Sequence, residues 1–216
     1  MGTSSADSQL QTLLTEGLSQ LSLPLADDVQ QKLLQFVALI DKWNKVYNLT
    51  AVREPIDMVS HHLLDSLSIL PYLKGSTVLD VGTGAGLPGI PLALASPERQ
   101  FVLIDSALKR TRFVLQAVGE LGLSNVKVVQ SRIEDFQPDE KFDTVISRAF
   151  TATEMFVDKT GHLCKESGQL LAMKGRYPTQ EISDLPINWV YESHKLAVPG
   201  VEGERHIVIL QPSHSE

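Results

Sequence analysis

The sequence predicts an α/β protein. A helical N-terminal extension over residues 1–74 precedes a helix-covered parallel sheet over residues 75–216, and an antiparallel hairpin ends it. Three observations predict this. Glycine is absent between Gly17 and Gly75, and twelve of the 14 glycines lie from position 75 onward. Helices tolerate glycine poorly, whereas strands that end in tight turns need it. From Thr77 short apolar runs alternate with helical patterns, which is how a parallel sheet is built. The last two strand-like runs have no helix between them.

The extension reads as three helices. Leu10, Leu13, Leu14, Leu18 and Leu21 recur at helical spacing until Pro24. Asp27 or Asp28 is placed to cap the second helix, whose stripe is Val29, Leu33, Phe36, Val37, Ile40, Trp43 and Val46. Pro55 opens the third, with Ile56, Val59, Leu63, Leu67 and Leu70 inward and Pro71 near its end. Strands are predicted over residues 77–81, 101–104, 126–129, 144–146 and 169–173. Helices are predicted over residues 89–95, 107–121 and 153–163. The hairpin pairs residues 189–198 with 205–210 across a short loop holding Gly200 and Gly203.

Composition narrows the function classes. A chain of 216 residues, 43% hydrophobic and 21% charged, is an ordinary globular protein, so disorder and fibrous architectures are excluded. No apolar run reaches the ~18 residues of a membrane span. Residues 1–10 lack the basic flank and apolar stretch of a secretory signal. Cys164 is the single cysteine, which excludes a disulfide framework and a cysteine zinc site and fits a reducing cytosol. His62, His162 and His206 share no ligand spacing, so no metal is expected. Nineteen Lys+Arg against 26 Asp+Glu give a net charge of −7, which by itself argues against a nucleic-acid partner.

The strongest signal is the run from Val78 to Gly89, VLDVGTGAGLPG. A buried strand enters a glycine loop that leads into a helix, so a ligand can approach main-chain N–H groups. Asp105 ends the second strand, 21 residues past Gly84, where a carboxylate can accept both hydroxyls of a nucleoside ribose. Two ligands compete for the loop. Gly84, Gly86 and Gly89 spell the dinucleotide fingerprint, whereas Gly82, Gly84 and Gly86 behind Asp80 spell an S-adenosyl-L-methionine loop. The triplet begins directly after the strand, and Asp80 would repel a pyrophosphate while holding either the loop or a methionine ammonium. The terminal hairpin also suits a methyltransferase sheet. The reading therefore favours S-adenosyl-L-methionine.

Two later loops border the same pocket. The run from Ser131 to Asp135 follows the third strand, at the edge that should meet the adenine. There Glu134 or Asp135 can accept from the exocyclic amine, and the Ile133–Glu134 backbone can pair with the ring edge. The run Ser147-Arg148-Ala149-Phe150 follows the fourth strand, where the cofactor's reactive end and the acceptor should meet.

These residues form part of a wider pattern. It includes the run Lys42 to Thr50 (KWNKVYNLT), His62 to Ser66 (HLLDS), the loop itself, Leu103 to Ser106, Ser131-Arg132 and Ile146 to Phe150. Met173-Lys174-Gly175 and Gly203 to His206 complete it. Together they resemble the bacterial 16S rRNA guanine-N7 methyltransferases, the glucose-inhibited division protein B family, from about Leu10 to Leu210. Members often have proline where this loop has Ala85. The resemblance implies a monomeric cytoplasmic enzyme with a Rossmann-like S-adenosyl-L-methionine-dependent fold. It implies a partner, 16S rRNA or the small ribosomal subunit, methylated at one guanine of the decoding-centre loop. It places cofactor contacts on Gly82, Leu87, Ile133, Glu134 and Arg148, with Asp105 at the ribose.

Guanine N7 has a free lone pair and no proton, so its methylation needs no general base. Positioning supplies the rate. Arg148 is the expected positioning residue, addressing guanine O6, a phosphate or the methionine carboxylate but leaving N7 free. Phe150 either stacks on the base or belongs to the core. RNA binding needs only local positive surface, and the candidates are Lys42, Lys45 and Arg53, then Lys109 and Arg110, then Lys174 and Arg205. Two other readings remain: a methyltransferase of a small molecule or protein, and a non-catalytic RNA-binding module.

Overall fold

In β1 (Thr77–Val81) successive side chains point to opposite faces of the sheet, and both faces are covered. Val78 joins one apolar cluster, while Leu79 and Val81 join another. The computed structural model describes residues 5–148, 152–177, 179 and 188–213. Its seven strands are β1, β2 (Gln100–Asp105), β3 (Val126–Gln130), β4 (Phe142–Ser147), β5 (Cys164–Lys174), β6 (Trp189–Lys195) and β7 (His206–Pro212). They lie in the order β3-β2-β1-β4-β5-β7-β6. The first five are parallel, with Val78 beside Phe101 on one side and Thr144 on the other. Strand β7 runs antiparallel to both β5 and β6. The order reverses between β1 and β4, and open α/β sheets bind ligands outside the strand ends at such a point.

The helices divide between the faces. Helices α1 (Ser5–Gln20), α2 (Asp27–Tyr47), α5 (Gly89–Ala95) and α6 (Leu108–Leu121) serve the first cluster, where Leu14, Phe36, Leu92 and Phe113 meet Val78 and Leu103. Helix α7 (Thr153–Thr160) covers the other face through Phe156 and Val157. No helix among the described residues is long and apolar enough to cross a membrane.

Several local expectations are corrected. Ala26 occupies the N-cap of α2, and Asp27 and Asp28 lie in the first turn with no side-chain cap. Acidic groups there still favour the positive end of the helix dipole. Val46, expected on the apolar stripe, is 71% exposed. Leu21 lies beyond the end of α1. The third helix is not continuous. A short α3 (Pro55–Met58) runs into a π-helical turn, Val59–Leu64, then a short α4 (Asp65–Leu67), then a 3-10 turn, Leu70–Tyr72, that contains Pro71. Helix α6 begins at Leu108 with Ala107 as its cap, and residues 161–163 form a 3-10 turn after α7. Strand β5 starts five residues early, at Cys164. The hairpin strands are shorter at their facing ends, and residues 196–205 connect them.

At the opposite edge from the glycine loop, Asp143 ties β4 to the entry of β1. Its Oδ2 accepts the N–H groups of Ser76 and Thr77 at 2.9 and 3.0 Å, and Lys165 Nζ meets Oδ1 at 2.8 Å. This pin sets the β1–β4 register that brings Gly82 and Arg148 to the same sheet edge.

Candidate active site

The glycine loop is wired to the ends of two strands. Gly82 and Thr83 both donate their N–H to Ile104 O, at 2.9 and 3.1 Å. Asp80, fully buried, accepts Thr83 Oγ1–H at 2.7 Å and Gly89 N–H at 2.9 Å through Oδ2. Asp105 accepts Gly84 N–H at 3.0 Å through Oδ2 and Ala107 N–H at 2.9 Å through Oδ1. Gly84 has φ +59°, and a Cβ placed there would meet only Gly82 O, at 3.9 Å. Gly89 serves packing instead, since a Cβ there would lie 2.0 Å from Leu103 Cδ2. Burial raises the Asp80 carboxyl to about 6, against the lowering effect of the Thr83 and Gly89 hydrogen bonds.

Beside the loop lies a cavity of about 450 Å³. Val81, Gly82, Asp105, Ser131, Ile133 and Glu134 line it, with Ile104 and Ile133 supplying apolar walls. Ile133–Asp135 is a 3-10 turn, and the exposed Glu134 carboxylate pairs with Lys159. Arg110, read from sequence as an RNA contact, also lines this cavity and reaches Asp105 Oδ2 at 3.4 Å.

A second cavity, of about 360 Å³, lies along the same sheet edge past β4. It gathers Arg148 with Lys174 and Arg205, the basic group expected near the later strands, and with His62, Asp65 and His206. Asp65 is 4% exposed and holds two guanidiniums: Arg148 Nη1 on Oδ2 at 3.3 Å and Arg205 Nε on Oδ1 at 3.1 Å. Arg148 is thus placed in this cavity, outside the lining of the first. Sequence reading gave Asp65 no role. The run from His62 to Ser66 marked it only as part of a pattern, and nothing in a helical carboxylate announces arginines 83 and 140 residues away. His62 Nε2 meets Thr50 Oγ1 at 3.0 Å. Burial, then the nearby Arg148 charge, lowers His62 to about 4, so it is neutral at pH 7.

The remaining basic candidates lie by the end of α2. Lys42 is exposed, Lys45 pairs with Asp41 at 2.8 Å, and Arg53 donates to Asn48 Oδ1 at 3.1 Å. Lys109 Nζ reaches Tyr47 O at 3.4 Å, which joins the start of α6 to this group. Phe150 lies outside the described residues.

The loop decides between the two ligands. A dinucleotide loop offers its free N–H groups, and the helix behind it, to a pyrophosphate. Here Gly82, Thr83, Gly84, Gly86 and Leu87 all donate within the protein, and the Asp80 carboxylate already holds Gly89 N–H at the start of α5. A nucleoside with an uncharged linkage fits this chemistry. The Asp105 carboxylate at the cavity, the open space at Gly84 and the apolar walls of Ile104 and Ile133 suit S-adenosyl-L-methionine.

Comparison with known proteins agrees. A family model described as rRNA small subunit methyltransferase G (GidB) matches residues 29–208. The chain belongs to this family. It is thereby an S-adenosyl-L-methionine-dependent methyltransferase. A ribosomal RNA small subunit methyltransferase G of Marinobacter nauticus is 55% identical over 198 residues, covering 91% of this chain and 92% of that one. Its counterpart in Legionella pneumophila is 47% identical over 210 residues, covering 97% and 99%. Among solved structures, M. jannaschii TYW2 in complex with AdoMet aligns with TM-score 0.53 at 19% identity over 70% of this chain and 75% of that one. At that identity the likeness speaks for the fold.

Proposed function

We propose that this methyltransferase modifies N7 of one guanine in the decoding-centre loop of 16S rRNA, as a cytoplasmic monomer acting on the RNA or the small subunit. One observation carries the reading. A nucleoside-type cavity and a cationic cavity lie side by side on one sheet edge, flanking the β1–β4 reversal. The relatives are ribosomal RNA methyltransferases by name, which supplies the rRNA, and the chemistry of the second cavity fits an anionic polymer.

In this reading Asp80 shapes the loop from inside, while Gly82, Gly84, Gly86 and Leu87 form the cofactor's floor. Asp105 accepts ribose hydroxyls, and Ile133 and Glu134 border the adenine. When bound, the cofactor supplies an electrophilic methyl on a sulfonium. The chain's own task is to hold the guanine in line and to keep water and cations from N7. An in-plane lone pair attacks with no proton to remove, so no base is required. His62, neutral and bonded to Thr50, fits a site without acid–base work. Lys42, Lys45, Arg53 and Lys109 extend the RNA surface beyond the mouth, and Lys174 and Arg205 lie within it. The extension over residues 1–74 contributes His62 and Asp65 to the acceptor side, so it serves the methyltransferase domain directly.

Methyl transfer from labelled S-adenosyl-L-methionine to small subunits isolated without the modification tests the proposal. Label confined to 16S rRNA is expected. Label on protein, or efficient transfer to free small molecules, would remove it.

A further inference from the structure

Helix α2 carries more apolar surface than the core takes up. Leu33, Phe36 and Ile40 are fully buried in the first cluster. Leu34, Val37 and Ala38, spaced as i, i+3 and i+4, form a second flank of the same helix, and they line a groove of about 570 Å³. Leu34 is only half-buried and Ala38 is exposed. Leu10 of α1 and Pro55 and Ile56 of α3 complete the apolar lining. Ile56, expected inward, is half-buried, belongs to neither apolar cluster and also lines an adjoining cavity of about 620 Å³. Beside the groove, Gln30 Oε1 accepts Gln11 Nε2–H at 3.0 Å and Thr15 Oγ1–H at 2.8 Å. These bonds pin α1 to α2, so the groove is preformed and a ligand need not order it.

The charge around this groove has one sign. Asp7, Asp41 and Glu54 line it, with no lysine, arginine or histidine among the described lining residues. Glu16 lines the adjoining cavity. Lys45 meets Asp41 at 2.8 Å from outside the lining, and Arg53 is engaged by Asn48 Oδ1. Glu54 is exposed.

We propose that this groove docks a cationic, apolar-anchored segment of a protein of the small ribosomal subunit. The inference rests on the rRNA reading and adds a protein contact to it. RNA is the wrong occupant, because carboxylates repel phosphates and Arg148, Lys174 and Arg205 gather in the second cavity instead. A second copy of this chain is also a poor occupant, because a net charge of −7 sets acid against acid. A protein seated on rRNA must neutralise phosphates, so its segments are rich in lysine and arginine. One apolar side chain of such a segment fills the space lined by Leu34 and Ile56, and its cations meet Glu54. An acidic enzyme thereby gains a hold on a ribonucleoprotein that bare RNA does not offer.

The test compares wild type, Glu54→Lys and Ile56→Ser in binding to unmodified small subunits and to protein-free 16S rRNA, with methylation measured alongside. S-adenosylhomocysteine affinity checks that each variant keeps its fold. Glu54→Lys adds a cation, so protein-free RNA should bind equally or more tightly. Docking predicts the opposite on the subunit, at least about 10-fold weaker binding. Ile56→Ser should weaken subunit binding at least about 5-fold and leave RNA binding unchanged. A chain carrying p-benzoylphenylalanine in place of the exposed Gln35 should photo-cross-link to a lysine- and arginine-rich segment of a small-subunit protein, identified by mass spectrometry, and Glu54→Lys should abolish that cross-link. Unchanged or tighter subunit binding by Glu54→Lys overturns the proposal, as does equal weakening on subunit and RNA. A cross-link confined to rRNA, to residues 1–4 of the chain itself or to a second copy overturns it too, and so does none. If Ile56→Ser loses its fold, Glu54→Lys decides. If protein-free RNA is not bound, subunit affinity and the cross-link decide. Subunit binding and cross-linking without methylation of 16S rRNA would remove the proposed function and leave the groove standing, whereas no wild-type binding to subunit or RNA removes both.

Discussion

Asp105 accepts the N–H of Gly84 at 3.0 Å across 21 residues of sequence. This bond ties the end of β2 to the turn after β1. The same carboxylate accepts Ala107 N–H and takes Arg110 at 3.4 Å. A carboxylate has about four acceptor positions, so the protein itself fills most of them.

Gly84→Val should separate binding from folding. The left-handed φ of +59° costs a branched residue about 1–2 kcal/mol. The added atoms enter open space, where a Cβ meets only Gly82 O, at 3.9 Å. S-adenosylhomocysteine affinity, measured by calorimetry, should fall at least about 10-fold while the circular dichroism spectrum is retained. Unchanged affinity would remove the loop from the cofactor site.

Arg110 takes an acceptor position on Asp105 that a ribose hydroxyl would use under the proposed function. It is half exposed, and an exposed ion pair is worth up to about 1 kcal/mol. Arg110→Ala should therefore leave S-adenosylhomocysteine affinity equal or tighter by up to about 5-fold. Asp105→Ala should weaken it at least about 10-fold. If both variants weaken the cofactor equally, Arg110 contacts the ligand and the competition is wrong.

The strand–loop–helix run from Val78 to Gly89 and the acidic end of β2 were legible because their chemistry is local. Glycines, a short apolar strand and a carboxylate at fixed spacing leave few alternatives. The sheet's alternation and its antiparallel end were legible for the same reason. The interruption after Pro55 was not, since Val59, Leu63 and Leu67 are buried in it just as a continuous helix would bury them. The junction of Asp65 with Arg148 and Arg205 was hidden by sequence distance. The pairing of Arg110 with Asp105 went unread, because its charge was considered only with the RNA surface.

Asp80 should make stability depend on pH in an unusual direction. Its carboxyl is raised from 3.8 to about 6 in the folded protein. The folded state therefore holds the proton more tightly than the unfolded chain. This contribution is fully present below about 3.8 and is lost as pH rises through about 6. It amounts to about 3 kcal/mol, as an order of magnitude. Asp80→Asn removes the titration. Urea denaturation at pH 4 and pH 7 should show wild type losing stability relative to Asp80→Asn on the way up. His62 acts oppositely in both proteins, losing stability as pH falls from 6.5 toward about 4, and so cancels in the comparison. A constant difference between the two proteins contradicts the assignment.

Arg148 should act through geometry and not through titration. With saturating cofactor, the single-turnover rate should be flat between about pH 7 and 9, above the range where Asp80 and His62 change charge. Arg148→Lys keeps the charge but loses the planar contact to Asp65, and should cost at least about 10-fold in rate. Equal rates for the two side chains would reduce Arg148 to bulk charge. A group with pKa near 8 controlling the chemical step would point to an acceptor atom that carries a proton.

The site of methylation has a direct chemical readout. Methylation at guanine N7 labilises the glycosidic bond, so borohydride reduction followed by aniline breaks the strand there. Unmodified small subunits treated with enzyme and S-adenosyl-L-methionine should acquire one new enzyme-dependent break, at a guanine in the decoding-centre loop of 16S rRNA. Methyl incorporation with no such break, or with a break elsewhere in the RNA, would contradict the account.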